Sequence, residues 1–297
     1  MKLLVIGASG LLGSRVAGLA SKEHEVYGTC SSHELSLPNS LKLDVTNQEE
    51  VKKTVSELKP QAVVNCAAMT NVDGCEREPE KARALNSFAP QYLANACQEN
   101  ECKLVHVSTD YVFDGEKGNY SEKDRVSAKG VYAESKLAAE IAVKTLCADR
   151  AIARVSVLYG WKAANMRENF VTWAIKELEA GKRIRLVTDQ YTSPTLADNA
   201  AEAILAIIDK NERGVFHTCG STCLDRYSFG LKIAEAFGLD ASLIDKTTSK
   251  EFEWLAPRPS NSCMLNNETQ KRLGVKLYTV EEGLKFMREQ KERGDYE

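Results

Sequence analysis

The chain has 297 residues, 43% apolar and 27% charged, with 39 Lys and Arg against 42 Asp and Glu. That composition excludes a disordered or fibrous chain. A net charge of −3 excludes the one-sign field of a protein whose main partner is nucleic acid or an anionic membrane.

Lys2 to Ile6 reads as a buried strand and Gly10 to about Lys22 as a helix. The apolar start faintly imitates a signal peptide. Gly7, Ser9, Gly10 and Gly13 interrupt it and Arg15 follows, which is not a leader's pattern. Further strands are expected at His24–Thr29, Leu41–Val45, Gln61–Cys66, Lys103–Val107 and Ala151–Leu158. Helices are expected after Val45 through Leu58, from Glu78 to Gln98 with a bend at Pro90, and from Tyr132 to Leu146. This alternation predicts a Rossmann-type, doubly wound parallel sheet with helices on both faces, its strand ends gathered on one ligand-binding edge.

Past Gly160 the pattern loosens. Helical periodicity covers Phe170–Ala180, Leu196–Asp209, Tyr227–Phe237, Asn267–Leu273 and Val280–Arg293, with short strands near Ile184–Val187 and Val215–His217. We read residues 1–160 as one domain with a later return near 196–218, and residues 161–297 as mainly a smaller mixed α/β lobe. No stretch reaches the roughly 18 apolar residues of a membrane span.

The nine cysteines are odd in number and scattered. They read as free thiols in a reducing compartment, so a cytoplasmic location is expected. Cys219 and Cys223 form a C-x3-C without a second pair, and four histidines are dispersed, so no metal site is expected.

Two motifs carry chemistry. Gly7-Ala8-Ser9-Gly10-Leu11-Leu12-Gly13 joins the first strand to the first helix. Gly7 allows a tight exit, Gly10 a close approach to a pyrophosphate, and Gly13 close helix–sheet packing, with the helix N-terminus facing the phosphates. The second strand ends Gly28-Thr29-Cys30-Ser31-Ser32 without the carboxylate that would bind ribose hydroxyls, and Glu34 comes late. NADPH is therefore favoured, with NADH the alternative. Asp44 is a candidate for the adenine.

The second motif pairs Ser108-Thr109-Asp110-Tyr111, at the end of the fifth strand, with Tyr132-Ala133-Glu134-Ser135-Lys136 at the start of a helix. Tyr132 and Lys136 share one helical face. An ammonium beside the phenol would lower its pKa from about 10 and make Tyr132 a proton donor to an alkoxide. A hydroxyl of Ser108 or Thr109 could stabilise the same oxygen.

In these motifs the chain resembles the extended short-chain dehydrogenase/reductases, and within them the dTDP-4-dehydrorhamnose reductases. The resemblance extends through Asn65–Asp73, Ala84–Asn86, Ser108–Gly115, Leu158–Gly160, Asn169-Phe170, Val187–Thr195 and Arg258–Ser262. It implies reduction of the 4-keto group of a nucleotide-linked 6-deoxy sugar. By this resemblance Thr109, Tyr132 and Lys136 are catalytic. Gly7, Gly10, Leu11, Leu12, Gly13, Asp44, Val45, Ala67, Ala68, Tyr132 and Lys136 hold the cofactor, and Ser108, Asp110, Tyr111, Asn169 and Arg258 line the substrate site. Arg258 suits a diphosphate because a guanidinium is planar and can bond two oxygens. One departure stands out: the reductases carry Trp in a TSWVYG-like strand end where this chain has Val157, which leaves the sugar open. A homodimer is expected. Two alternatives fit the same fold: a non-catalytic cofactor-binding subunit like the methionine adenosyltransferase beta subunit, and a nucleotide-sugar epimerase holding NAD tightly.

Overall fold

A seven-stranded parallel sheet is the frame of the computed structural model, which describes residues 1–31, 37–163 and 166–295. Glu34 lies outside the described residues. In chain order the strands are β1 (Lys2–Ile6), β2 (Glu25–Cys30), β3 (Ser40–Lys42), β4 (Ala62–Asn65), β5 (Lys103–Thr109), β6 (Arg150–Val155), β7 (Leu158–Tyr159), β8 (Ile184–Val187), β9 (Tyr191–Thr192), β10 (Thr195–Leu196), β11 (Gly214–His217), β12 (Leu224–Asp225) and β13 (Ile244–Thr247). The helices are α1 (Leu11–Ala20), α2 (Gln48–Leu58), α3 (Val72–Arg77), α4 (Pro79–Arg83), α5 (Ala89–Glu99), α6 (Val131–Leu146), α7 (Phe170–Glu179), α8 (Ala197–Asp209), α9 (Arg226–Phe237), α10 (Asn267–Leu273) and α11 (Val280–Arg293).

The large sheet runs β3-β2-β1-β4-β5-β6-β11. Its order reverses between β1 and β4, which opens the crevice where ligands of such sheets bind. The predicted doubly wound fold is thus present, and β1 shows why. Its side chains alternate: Leu3 and Val5 pack with α1 and α8, while Leu4 and Ile6 pack with α2, α5 and α6. Both faces are covered, so every position from Leu3 to Ile6 is apolar.

A third core joins Tyr159, Val171, Phe229, Ile233, Leu284 and Met287. It unites α7, α9 and α11 with the small β8–β13 pair.

Three expectations change. The helix from Glu78 to Gln98 is α4, a π turn over Ala84–Phe88, and α5. Pro90 lies at the second position of α5, directly after the π turn, where the helix is widened next to a residue that has no N–H to donate. The sixth strand stops at Val155, because Ser156 turns its hydroxyl to Asp110 and Val157 takes φ 40°, a left-handed conformation that β-branched residues rarely adopt. Residues 158–159 then leave the sheet to pair with β10.

The thiols are the third correction. Cys223 and Cys263 form a disulfide, with Cα atoms 5.5 Å apart and a sequence separation of 40. The other seven cysteines are free. No spacing rule pairs residues so far apart; the fold does, by laying two loops side by side. Among the described residues no helix is long and apolar enough to cross a membrane, and no group of His, Cys, Asp and Glu could hold a metal.

Candidate active site

The glycine turn sits at the sheet's reversal point. Gly7 has φ 75°, and a Cβ there would lie 2.9 Å from the Ala67 nitrogen at the end of β4. At Gly13 a Cβ would lie 2.2 Å from the Gly7 carbonyl oxygen. Glycine at both positions is a steric requirement of the fold. Gly10 is different: a Cβ there would meet nothing closer than 3.4 Å, so the protein's own atoms do not demand it. It caps α1 without a side chain, and the first turn of α1 holds no acidic residue. The N–H groups of Leu11, Leu12 and Gly13 therefore begin a helix unpaired, which fits a dinucleotide pyrophosphate. Thr29, at the end of β2, accepts a hydrogen bond from the Gly7 N–H at 3.3 Å.

Asp44 is exposed. Its Oδ1 accepts from the Thr46 hydroxyl at 2.6 Å and the Thr46 N–H at 2.9 Å, which holds its carboxyl below the usual range. Val45 is buried in the core under α2 and α5. Ala67 and Ala68 are half-buried just past β4, and the Ala67 N–H donates to the Asn65 Oδ1 at 3.1 Å.

Thr109 closes β5, and Tyr132 stands in the first turn of α6. Gly130, with φ 87°, turns the chain into α6, and the Val131 N–H donates to the Glu76 carboxylate at 2.8 Å. That tie, which sequence reading missed, positions Tyr132. The Tyr132 ring meets Tyr111 edge-on, with centroids 5.7 Å apart. Burial pushes the Tyr132 phenol upward, and a hydrogen bond with Thr109 opposes the rise. This corrects the expectation of a lysine-lowered phenol. Lys136 turns its Nζ elsewhere, donating to the Val107 carbonyl at 2.7 Å and lying 3.4 Å from the His106 Nε2. Burial brings Lys136 down to about 8. Behind it His106 is fully buried, 3.2 Å from the Asn65 Nδ2, and burial and Lys136 hold its imidazole neutral.

The expected substrate residues are divided by the structure. Tyr111 is half-buried beside Tyr132. Ser108 is buried and donates to Glu140 at 2.7 Å, away from Tyr132. Glu140 is clamped by Arg154 through bonds of 2.8 and 2.7 Å; burial would raise its carboxyl, but Arg154 and its neighbours hold it down to about 2. Asp110 is buried too, and its oxygens accept from the hydroxyls of Thr109 (3.0 Å), Ser156 (2.8 Å) and Ser262 (2.5 Å). Asn169 caps α7, accepting from the N–H groups of Val171 and Thr172 and donating to the Gly160 carbonyl at 2.8 Å. Arg258 forms a two-pronged ion pair with Asp73 of α3, at 3.1 and 2.8 Å, and lies on the Trp254 ring.

Comparison with known proteins gives one family. The RmlD substrate binding domain matches residues 1–292. A probable low-salt glycan biosynthesis reductase, Agl14, of Haloferax volcanii is 38% identical over 96% of this chain and 96% of its own. A dTDP-4-dehydrorhamnose reductase of Clostridium acetobutylicum has a solved structure with a TM-score of 0.88 at 32% identity, covering 98% of this chain and all of that one. That of Bacillus anthracis, solved in complex with NADP, gives a TM-score of 0.87 at 29% identity, over 97% and 99% of the two chains.

Proposed function

The chain belongs to the RmlD substrate-binding-domain family, and from that premise we propose that it reduces dTDP-4-dehydro-L-rhamnose to dTDP-L-rhamnose with Tyr132 as proton donor. It is an oxidoreductase that uses NADPH, and the bound cofactor supplies the hydride. The observation that carries the reading is the meeting of Thr109 and Tyr132 at the end of β5, beside the glycine crevice between β1 and β4.

In this reading residues 1–160, with the return through 196–218, hold the dinucleotide, and residues 161–297 mainly hold the sugar nucleotide. The turn glycines with Leu11 and Leu12 offer N–H groups to the pyrophosphate, and Asp44, Val45, Ala67 and Ala68 flank the adenosine half. With substrate bound, Thr109 turns its one hydroxyl proton from Asp110 to the ketone oxygen and stabilises charge that develops there. Tyr132, whose buried phenol keeps its proton, delivers it to that oxygen as the alkoxide forms. Lys136, anchored to the β5 backbone, presents a cation to the nicotinamide ribose. Tyr111 and Arg258 border the sugar nucleotide, while Ser108, Asp110 and Asn169 hold the strand end and the start of α7 in place. A homodimer is the expected assembly; light scattering returning a monomer mass would contradict it.

The test is NADPH oxidation with dTDP-4-dehydro-L-rhamnose, run beside Tyr132→Phe. Removing a general acid should cut turnover about 10²- to 10⁴-fold while NADPH still binds. Wild-type protein that binds NADPH and fails to turn over this sugar would overturn the substrate assignment.

A further inference from the structure

Two arginines of the lobe, Arg226 and Arg258, are in opposite states. Arg258 is satisfied: both prongs meet Asp73, one also meets the Ala256 carbonyl, and the planar group rests 4.4 Å from the Trp254 ring centroid. Arg226 has no ion pair and no hydrogen bond among the described residues. Its guanidinium lies 5.1 Å from the Phe170 ring centroid. Its charge is felt by Tyr111 and Asp110 and opposed by Arg258, so it stands over the same site. Asp110 makes no ion pair with it; its oxygens accept instead from the hydroxyls of Thr109, Ser156 and Ser262.

Such a cation is costly. Arg226 is half-buried, so part of its hydration is lost with no ion pair to replace it, and that loss pulls it below its ordinary value. Its place at the first position of α9 adds to the cost, because a helix N-terminus is already positive. Yet the fold fixes Arg226 there. Asp225 caps α9 and pairs across β12–β9 with Tyr191, the Tyr191 N–H donates to the Ser260 carbonyl, and the Cys223–Cys263 disulfide ties the same two loops.

We infer that Arg226, and not Arg258, is the residue that takes the diphosphate of the sugar nucleotide, while the Arg258–Asp73 pair is a tie between the lobe and α3. A planar guanidinium with its donors free can bond two oxygens of one anion, and the anion supplies the counter-charge that the protein withholds. Phe170, next to the α7 cap Asn169, holds its ring beneath the group. This inference rests on the reading of the site as a sugar-nucleotide pocket.

The test is calorimetric titration with dTDP and with thymidine, on wild type, Arg226→Met and Arg258→Met. Arg226→Met should bind dTDP at least tenfold more weakly and thymidine as before, with its affinity for dTDP losing most of its salt dependence. Arg258→Met should lose less dTDP affinity than Arg226→Met. A measurement on unmutated protein guards against misfolding: dTDP should shield Arg226 from phenylglyoxal, read by peptide mass spectrometry, and leave the labelling of Arg258 unchanged. Undiminished dTDP binding by Arg226→Met, or no shielding of Arg226 by bound dTDP, overturns the inference alone. Wild-type protein that binds no dTDP overturns the inference together with the sugar-nucleotide reading.

Discussion

The sheet half of the site places its groups at strand ends, where a few adjacent residues fix the geometry, whereas the lobe half places its groups on loops held by contacts across the chain. Gly7, Ala67 and Thr109 end β1, β4 and β5 and need only parallel pairing to meet. Arg226 and the segment from Arg258 to Cys263 need the disulfide, the β12–β9 pair and the ties to Asp110 and Asp73. The two halves also differ in charge. Beneath the sheet edge a buried Glu140–Arg154 pair supports Ser108, while the lobe reaches Asp110 through the neutral hydroxyl of Ser262. A motif can therefore announce the first half, but the second half is visible only when distant loops have docked.

Four measurements press on this contrast. The largest effect is expected at Glu140→Gln, which leaves Arg154 buried without its partner; a stability loss of about 3–5 kcal/mol is expected by denaturant titration. A loss below 1 kcal/mol would show that the pair does not support the sheet edge. Next comes the double variant Cys223→Ser, Cys263→Ser. Freeing a 40-residue separation should cost about 2–4 kcal/mol and weaken sugar-nucleotide binding with NADPH binding retained. Equal weakening of both ligands would erase the distinction between the halves.

Acid should act next. Burial holds the His217 imidazole down to about 4, against an ordinary value of 6.5. Its contribution is fully present above pH 6.5, where both states are neutral, and is lost as pH falls toward 4 because the unfolded chain takes up the proton first. By pH 5 the loss from His217 is about 2 kcal/mol. A melting temperature flat between pH 7 and 5 would contradict it. The smallest effect belongs to Asn169→Ala, which removes the α7 cap and should cost about 1 kcal/mol, read as a lower melting temperature. If its KM for the sugar nucleotide rises more than tenfold with stability unchanged, Asn169 is a ligand contact and not a cap.

Much of the first half was legible. Gly7 and Gly13 stand where a Cβ would strike the Ala67 nitrogen or the Gly7 carbonyl, and the glycine spacing told of it. Strand-then-helix order brought Tyr132 to the end of β5 but left Ser108 and Thr109 both open; the fold turns Ser108 away to Glu140. The direction of the Tyr132 shift did not, because the Lys136 Nζ prefers the Val107 carbonyl and His106, partners that only a folded β5 supplies. Arg226 gave no signal at all. It looks like any charged residue at a helix start until the fold is seen to set it near Asp110 and Tyr111 without an ion pair.

By itself the sequence determined the doubly wound sheet, the glycine crevice and the chemistry-bearing strand ends, because period-two burial, backbone sterics and i,i+4 spacing act over a few residues. Only the tertiary structure decided which cysteines pair, which arginine keeps a free guanidinium, and where the Lys136 ammonium points. Those outcomes depend on which partners arrive from far along the chain, and on the cost of leaving a buried charge or hydrogen-bonding group without one.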